Sequence, residues 1–195
     1  MPTLRAVLFA TLAACALGPA VARAQHSPTI ADASEIGAEL RLADEVTTFA
    51  GIYQTPIGSA TDARAGFGIA SVDDADSEVF LTGGLRYLLS RGSARFPLDV
   101  ALDGELNLFL LDDTVVQIVG GPSFGGAVGA AGVLVPYVQP LLSVAFNGDS
   151  ESDLGVRLGA DYGLTPTVSL RGDLVLGDVA FGGDPGLRAA IYFEF

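Results

Sequence analysis

Hydrophobic and polar residues alternate along the last ten positions of the chain. Every second residue from 187 to 195 is apolar, and the residues between them include Arg188 and Glu194. In a β-strand, successive side chains point to opposite faces of the sheet. The pattern therefore predicts a strand with one apolar and one polar face, which lies between an apolar phase and a polar one.

Nine earlier segments show the same alternation and are separated by short turns. No linker, composition break or low-complexity tract interrupts them, so we predict a single domain of ten strands. The predicted strands cover residues 35–43, 46–54, 64–72, 78–90, 96–109, 114–127, 133–147, 153–163, 166–177 and 186–195. Glycines blur the second and third segments, and Pro136 and Pro140 weaken the seventh, so eight strands are the alternative count.

The connections between these segments alternate in chemistry along the chain. Acidic connections lie at 44–45, 73–76, 112–113, 147–151 and 178–185. Neutral to basic connections lie at 58–62, 91–95, 129–132 and 164–166. Successive turns of an up-and-down meander fall at opposite ends, so we expect one strongly acidic end. Most apolar-face aromatic residues lie near the other end: Tyr53, Tyr87, Phe96, Phe124, Tyr162 and Phe195.

The first 24 residues have the features of a secretory signal peptide. Arg5 precedes a short apolar stretch at 6–17, and Ala22-Arg23-Ala24 forms a small-residue cleavage site. That stretch is too short to span a bilayer as a helix. We therefore divide the chain into a signal peptide (1–24), a short tail (25–34) and a barrel (35–195). Cys15, which ends a Leu-Ala-Ala-Cys box, offers the alternative of a lipidated N-terminus.

The composition narrows the class of protein. The chain is 50% hydrophobic, yet after the leader no uninterrupted apolar run reaches the length of a membrane helix. There are 23 acidic residues against 10 basic ones, all arginine, and the formal net charge is −13. Such a chain has no basic surface for nucleic acid.

The final strand carries a family resemblance. Its apolar residues at every second position, closing on a C-terminal phenylalanine, resemble the closing strand of small bacterial outer-membrane β-barrel proteins of the porin-like type. The resemblance implies an all-β, up-and-down antiparallel transmembrane barrel in the outer membrane of a Gram-negative envelope. It also implies that Ile191, Phe193 and Phe195 form the signal read by the outer-membrane assembly machinery. With the N-terminus in the periplasm and an even number of strands, we expect the acidic turns to face outside the cell.

A secreted, soluble, lipocalin-like lipid-binding barrel is the alternative, with the apolar face inside. The polar face argues against it, because it mixes glycine, serine, arginine and acids and contains no lysine. We predict that this face forms a lumen charge network of Arg86, Asp99, Asp103, Glu105, Arg157, Asp161, Arg171, Asp173 and Arg188. Assumed tight turns predict that Arg157 opposes Asp173, that Asp161 opposes Ser169, and that Arg86 lies near Asp99.

The sequence offers little for catalysis. The single histidine, His26, precedes the first strand, where a positioned general base is not expected. The carboxylates of Asp103 and Glu105 share a face but lack a nucleophile. We therefore expect no enzyme activity, no cofactor and no dedicated metal site, although the acidic stretches 73–78 and 147–153 offer oxygen ligands for weak divalent cations.

Two functions remain open. A small barrel is just wide enough for side chains to fill its interior, which favours a closed structural or surface-interaction protein with acidic external turns. The alternative is a narrow porin-like channel for small cationic solutes.

Overall fold

The computed structural model describes residues 28, 30–44, 46–72, 77–110, 114–128, 133–177, 179 and 185–195. The predicted signal peptide, Cys15 and His26 lie outside these residues. Among the described residues, no helix is long and apolar enough to cross a membrane.

Ten antiparallel strands close into one barrel, as the alternation predicted, so the eight-strand alternative is wrong. In chain order they are β1 (Glu35–Leu42), β2 (Val46–Pro56), β3 (Thr61–Val72), β4 (Ser77–Ser90), β5 (Asp99–Leu110), β6 (Val115–Gly125), β7 (Leu134–Asn147), β8 (Asp149–Thr165), β9 (Val168–Leu176) and β10 (Gly186–Glu194). Each strand pairs with its neighbours in sequence, and β1 pairs with β10 to close the ring.

The apolar face of the strands points outward. Leu85, Leu102 and Leu158 are 59%, 50% and 44% exposed, whereas the interior-facing Glu39 and Asp161 are 1% and 0% exposed. This distribution is the reverse of a soluble protein, in which apolar side chains fill the core. The soluble lipid-binding barrel is therefore wrong, because it requires the apolar face inside.

Successive connections between strands fall at opposite ends of the barrel. We call the end that carries the acidic connections the acidic end, and the end where β1 begins and β10 finishes the terminal end. The predicted loop at 147–151 is a tighter turn than expected, because Gly148 adopts a φ of 76° and Asn147 already pairs with Asp149. Glycine reaches this left-handed conformation without steric cost. Strand β8 therefore begins at Asp149.

Apolar side chains fill part of the interior near the acidic end. Phe80 and Phe109 pack with their ring centroids 4.9 Å apart, next to Val46 and Val115. Val179, in the connection between β9 and β10, is 3% exposed, and its carbonyl oxygen accepts a hydrogen bond from Gln117 Nε2 at 3.0 Å. Val179 therefore lies inside the barrel at its acidic end.

The predicted N-terminal tail contributes to the terminal end. Pro28, Ile30 and Ala31 are all buried. The backbone N–H of Ala31 donates to Asp62 Oδ2 at 3.1 Å. These residues therefore pack inside the rim of the barrel instead of extending into solvent.

Candidate functional site in the barrel interior

Charged side chains of both signs occupy the middle of the barrel. They alternate with the outward apolar residues, so the strand periodicity alone turns them inward. The described interior residues are Glu35, Glu39, Asp62, Asp103, Glu105, Asp161 and Asp173, and the arginines Arg41, Arg64, Arg86, Arg157, Arg171 and Arg188. Nearly equal numbers of each sign permit the pairing that buried charges require.

A central group of ion pairs joins four strands. Glu39 accepts from Arg41 Nε at 2.6 Å and from Arg64 Nη2 at 3.3 Å. Glu105 lies 2.8 Å from Arg41 Nη1 and 3.5 Å from Arg64 Nη1. Arg188 Nη1 lies 3.8 Å from Oε2 of both carboxylates. Each glutamate is therefore shared by three arginines.

These contacts cross the full width of the barrel. In the ring of ten strands, β5 is four places from β1 and five places from β10. The ion pairs of Glu105 with Arg41 and Arg188 therefore join opposite walls. Side chains that meet across the axis occupy the space through which a solute would pass.

A second group lies around Asp173. Arg188 Nε donates to Asp173 Oδ2 at 2.8 Å, and the Tyr137 hydroxyl donates to the same oxygen at 2.9 Å. Arg157 Nε lies 3.6 Å from Asp173 Oδ1, while its Nη1 donates to Gln139 at 3.0 Å. On β8, the residue directly opposite Asp173 in the register is Gly159, and on β10 it is Arg188. A Cβ at Gly159 would lie 2.5 Å from the Tyr137 ring, so this glycine makes room for the tyrosine.

Two further pairs lie nearer the terminal end. Arg171 Nε donates to Asp161 Oδ1 at 2.7 Å, and both side chains are buried. Arg86 pairs with Asp103 and lies 3.7 Å from Asp62. Asp62 also accepts the N–H of Ala31, so the N-terminal segment is tied to the charged interior.

The structure places eight of the nine predicted network residues inside the barrel and moves Asp99 to its rim. Asp99 accepts a hydrogen bond from the backbone N–H of Gly92. Arg86 lies opposite Asp103, because the irregular connection between β4 and β5 is longer than a tight turn around Ser93 would be. The predicted proximity of Arg86 to Asp99 is therefore wrong.

The predicted register between β8 and β9 is off by two residues. The turn lies at Pro166 and Thr167, and an irregularity between Gly163 and Thr165 shifts the pairing. Asp161 therefore opposes Arg171 instead of Ser169. Arg157 opposes Val175, and it reaches Asp173 diagonally.

Five interior charges near the N-terminus were missed. Glu35, Glu39 and Arg41 lie on β1, and Asp62 and Arg64 lie on β3. Within each strand they are separated by an even number of positions, which is the signal that places side chains on one face of a strand. In the sequence, the glycines of β3 hide this alternation.

The interior contains small cavities instead of a wide passage. A cavity of about 60 Å³, the acidic-end cavity, lies on the side of the central ion pairs toward the acidic end. A second cavity, of about 30 Å³, lies on their side toward the terminal end. Glu105, Val119, Arg157 and Arg188 line both cavities and so form the partition between them. Since one water needs roughly 10–15 Å³ of such volume, the first cavity holds about four to six waters and the second about two or three.

The residues of the predicted assembly signal lie on the outward face of β10. Phe193 and Phe195 are 45% and 74% exposed, and Ile191 is half-buried. The predicted acidic stretch at 73–76 lies outside the described residues. Within the described part of the chain, no group of three or more histidine, cysteine, aspartate or glutamate side chains is arranged to hold a metal ion.

Known structures of similar shape are bacterial outer-membrane proteins. A bacterial polysaccharide outer membrane secretin matches with a TM-score of 0.52 and 10% identity, over 84% of this chain and 66% of the secretin chain. The KdgM porin matches with a TM-score of 0.45 and 9% identity, over 83% of this chain and 99% of the porin. The N-terminal β-barrel domain of Pseudomonas aeruginosa OprF matches with a TM-score of 0.40 and 11% identity, over 84% of this chain and 98% of the OprF domain.

The sequence matches no protein-family model and no curated protein. The chain spans just under two thirds of the secretin that it matches. The fold is that of an outer-membrane β-barrel. The outward apolar face agrees with this fold. So does the closed antiparallel ring, because it leaves no strand edge with unpaired backbone groups.

Proposed function

We propose that the protein is a closed outer-membrane barrel with a structural or surface-interaction role and its acidic end outside the cell. One observation carries this proposal: the ion pairs of Glu105 with Arg41 and Arg188 join opposite walls of the barrel. An interior occupied in this way stabilises the wall and leaves no route for a solute. The role needs no catalytic group and no cofactor.

The proposed partners follow from the outer surface. The outward leucines, valines and isoleucines meet lipid, and the aromatic residues near the terminal end meet the membrane interface. Ile191, Phe193 and Phe195 engage the outer-membrane assembly machinery. Exposed acids such as Asp149 and Glu151 bind divalent cations weakly and present negative charge to other surface molecules.

A second candidate is a narrow channel for small cations. The two interior cavities favour it, because they are separated only by the partition of Glu105, Val119, Arg157 and Arg188. Movement of these side chains would join the cavities. The channel therefore requires the partition to open under conditions in which the barrel stays folded.

Single-channel conductance of the refolded protein in a planar bilayer distinguishes the two functions. We expect little or no conductance from the native protein. Replacing Arg157 and Asp173 together by alanine should raise it, because Arg157 lines the partition and Asp173 holds both Arg157 and Arg188.

The matched control is the Arg91→Ala, Asp149→Ala double variant, which also removes one charge of each sign but at exposed positions outside the interior. It should conduct as little as the native protein. Large, cation-selective unitary conductance from the native protein would overturn the closed barrel and support the channel.

A further inference from the structure

Polar atoms without a hydrogen bond collect around the acidic-end cavity. Among the described residues, Arg41 Nη2 and Thr48 Oγ1 are buried and have none. Arg157 Nε and Arg188 Nη1 also lack a hydrogen bond and make only ion pairs at 3.6 and 3.8 Å. Thr48 is 4% exposed, and the Arg188 side chain is 5% exposed. Buried donors are normally satisfied, and each one left open costs free energy.

The side-chain amides of this cavity already make hydrogen bonds within the protein. Asn107 donates to Gln117 at 3.3 Å, and Gln117 donates to Ser143 and to the Val179 carbonyl oxygen. Asp173 Oδ1 is an acceptor without a hydrogen bond, and it lies 3.6 Å from Arg157 Nε. The cavity therefore has more open donors than open acceptors.

The charged side chains around the cavity also favour an anion. Among the described residues, three arginines line it, Arg41, Arg157 and Arg188, against the two carboxylates of Glu105 and Asp173. The adjacent pair of Glu39 and Arg64 leaves this excess of one positive charge unchanged. An unbalanced charge in a low-dielectric interior is unfavourable, and one monovalent anion would neutralise it.

We propose that the acidic-end cavity binds one small monovalent carboxylate of the size of formate or acetate. The cavity of about 60 Å³ has room for about four to six water molecules, which is enough for a group of three or four heavy atoms. Thr48 lies directly opposite Arg41 in the register of β1 and β2, so a hydroxyl and a guanidinium stand side by side. Planar guanidinium groups bind carboxylates through paired N–H donors. This site is independent of whether the barrel conducts.

Acetate titration of the refolded protein in detergent micelles tests the site. The signals of the arginine Nε–H groups are followed by NMR, with ionic strength held constant by the sodium salt of a bulky sulfonate. We expect saturable shifts with acetate and none with benzoate, which carries the same charge but is too large for the cavity. Thr48→Val should weaken acetate binding about tenfold, because it removes a hydrogen bond to a charged ligand.

The matched control is Thr82→Val. Thr82 is also buried inside the barrel, and its hydroxyl also lacks a hydrogen-bond partner among the described residues, but it does not line this cavity. This variant should bind acetate as the native protein does. Absence of saturable shifts, binding of benzoate as tight as that of acetate, or equal weakening in both valine variants would overturn the proposal.

Discussion

At the scale of single residues, small side chains decide whether the polar interior can close. Gly159 faces the interior directly opposite Asp173, and the Tyr137 ring fills the space beside its Cα. Any Cβ at this position would overlap both neighbours. The hydrogen bond from Tyr137 to Asp173 therefore depends on a glycine.

We expect Gly159→Ala to lower the free energy of unfolding by about 1–3 kcal/mol, the usual cost of overpacking. Urea unfolding of the refolded protein, followed by circular dichroism, measures this change. Gly172→Ala is the control, because Gly172 pairs with Ala160 on the outward face and a Cβ there meets nothing within 4 Å. Equal stability of the two variants would show that Tyr137 does not occupy the space beside Gly159.

The loss of stability on placing an arginine on the outward face should depend on the depth of that position in the bilayer. Leu158 lies midway along β8, and Leu164 lies on the same face near its terminal end. Leu158→Arg should cost roughly 2–4 kcal/mol, and Leu164→Arg roughly 0–1 kcal/mol, because the cost of arginine in lipid falls toward the interface. The same unfolding experiment in lipid vesicles compares them. A smaller cost at Leu158 than at Leu164 would contradict the placement of β8.

At the scale of elements, the strands were predictable and their pairings were not. The alternation of side chains along a strand fixes which residues face inward, whatever the length of the turns. The register depends on turn length, and both errors arose where a connection is irregular: at 91–98 and at Pro166 and Thr167. Which charges face the interior was therefore largely predictable, while their partners were not.

Other features of the interior depend on contacts that no local pattern encodes. The ion pairs across the axis need the closed ring, since Glu105 and Arg188 are 83 positions apart in the sequence. The buried Ala31 donates its N–H to Asp62, which is 31 positions away along the chain. The acidic-end cavity likewise forms only when residues of seven strands and Val179 meet around it.

The last strand should matter more for assembly than for stability. Phe195 is 74% exposed, so its side chain adds little packing to the folded barrel. Deleting Phe195 should leave the urea midpoint of refolded protein nearly unchanged but lower the amount of barrel in the outer membrane of cells. Quantitative blotting of membrane fractions measures this. Normal membrane levels of a chain that ends at Glu194 would contradict the assembly role.

At the scale of the whole molecule, the two chemically different ends predict a fixed orientation. Single cysteines at Ser150, near the acidic end, and at Ser93, near the terminal end, allow this to be tested because the only natural cysteine is Cys15. On intact cells, a membrane-impermeant thiol reagent should label the cysteine at position 150 and not the one at 93. The reverse result would place the acidic end in the periplasm.

The central claim is that the apolar face of the barrel meets lipid and the charged face is enclosed. Its most direct test is a scan of β8 from Leu154 to Asp161, with one fluorophore-labelled cysteine at a time in vesicles of brominated lipid. We predict strong quenching at positions 154, 156, 158 and 160 and weak quenching at 155, 157, 159 and 161. Quenching in the opposite phase, or at neither set of positions, would contradict the account.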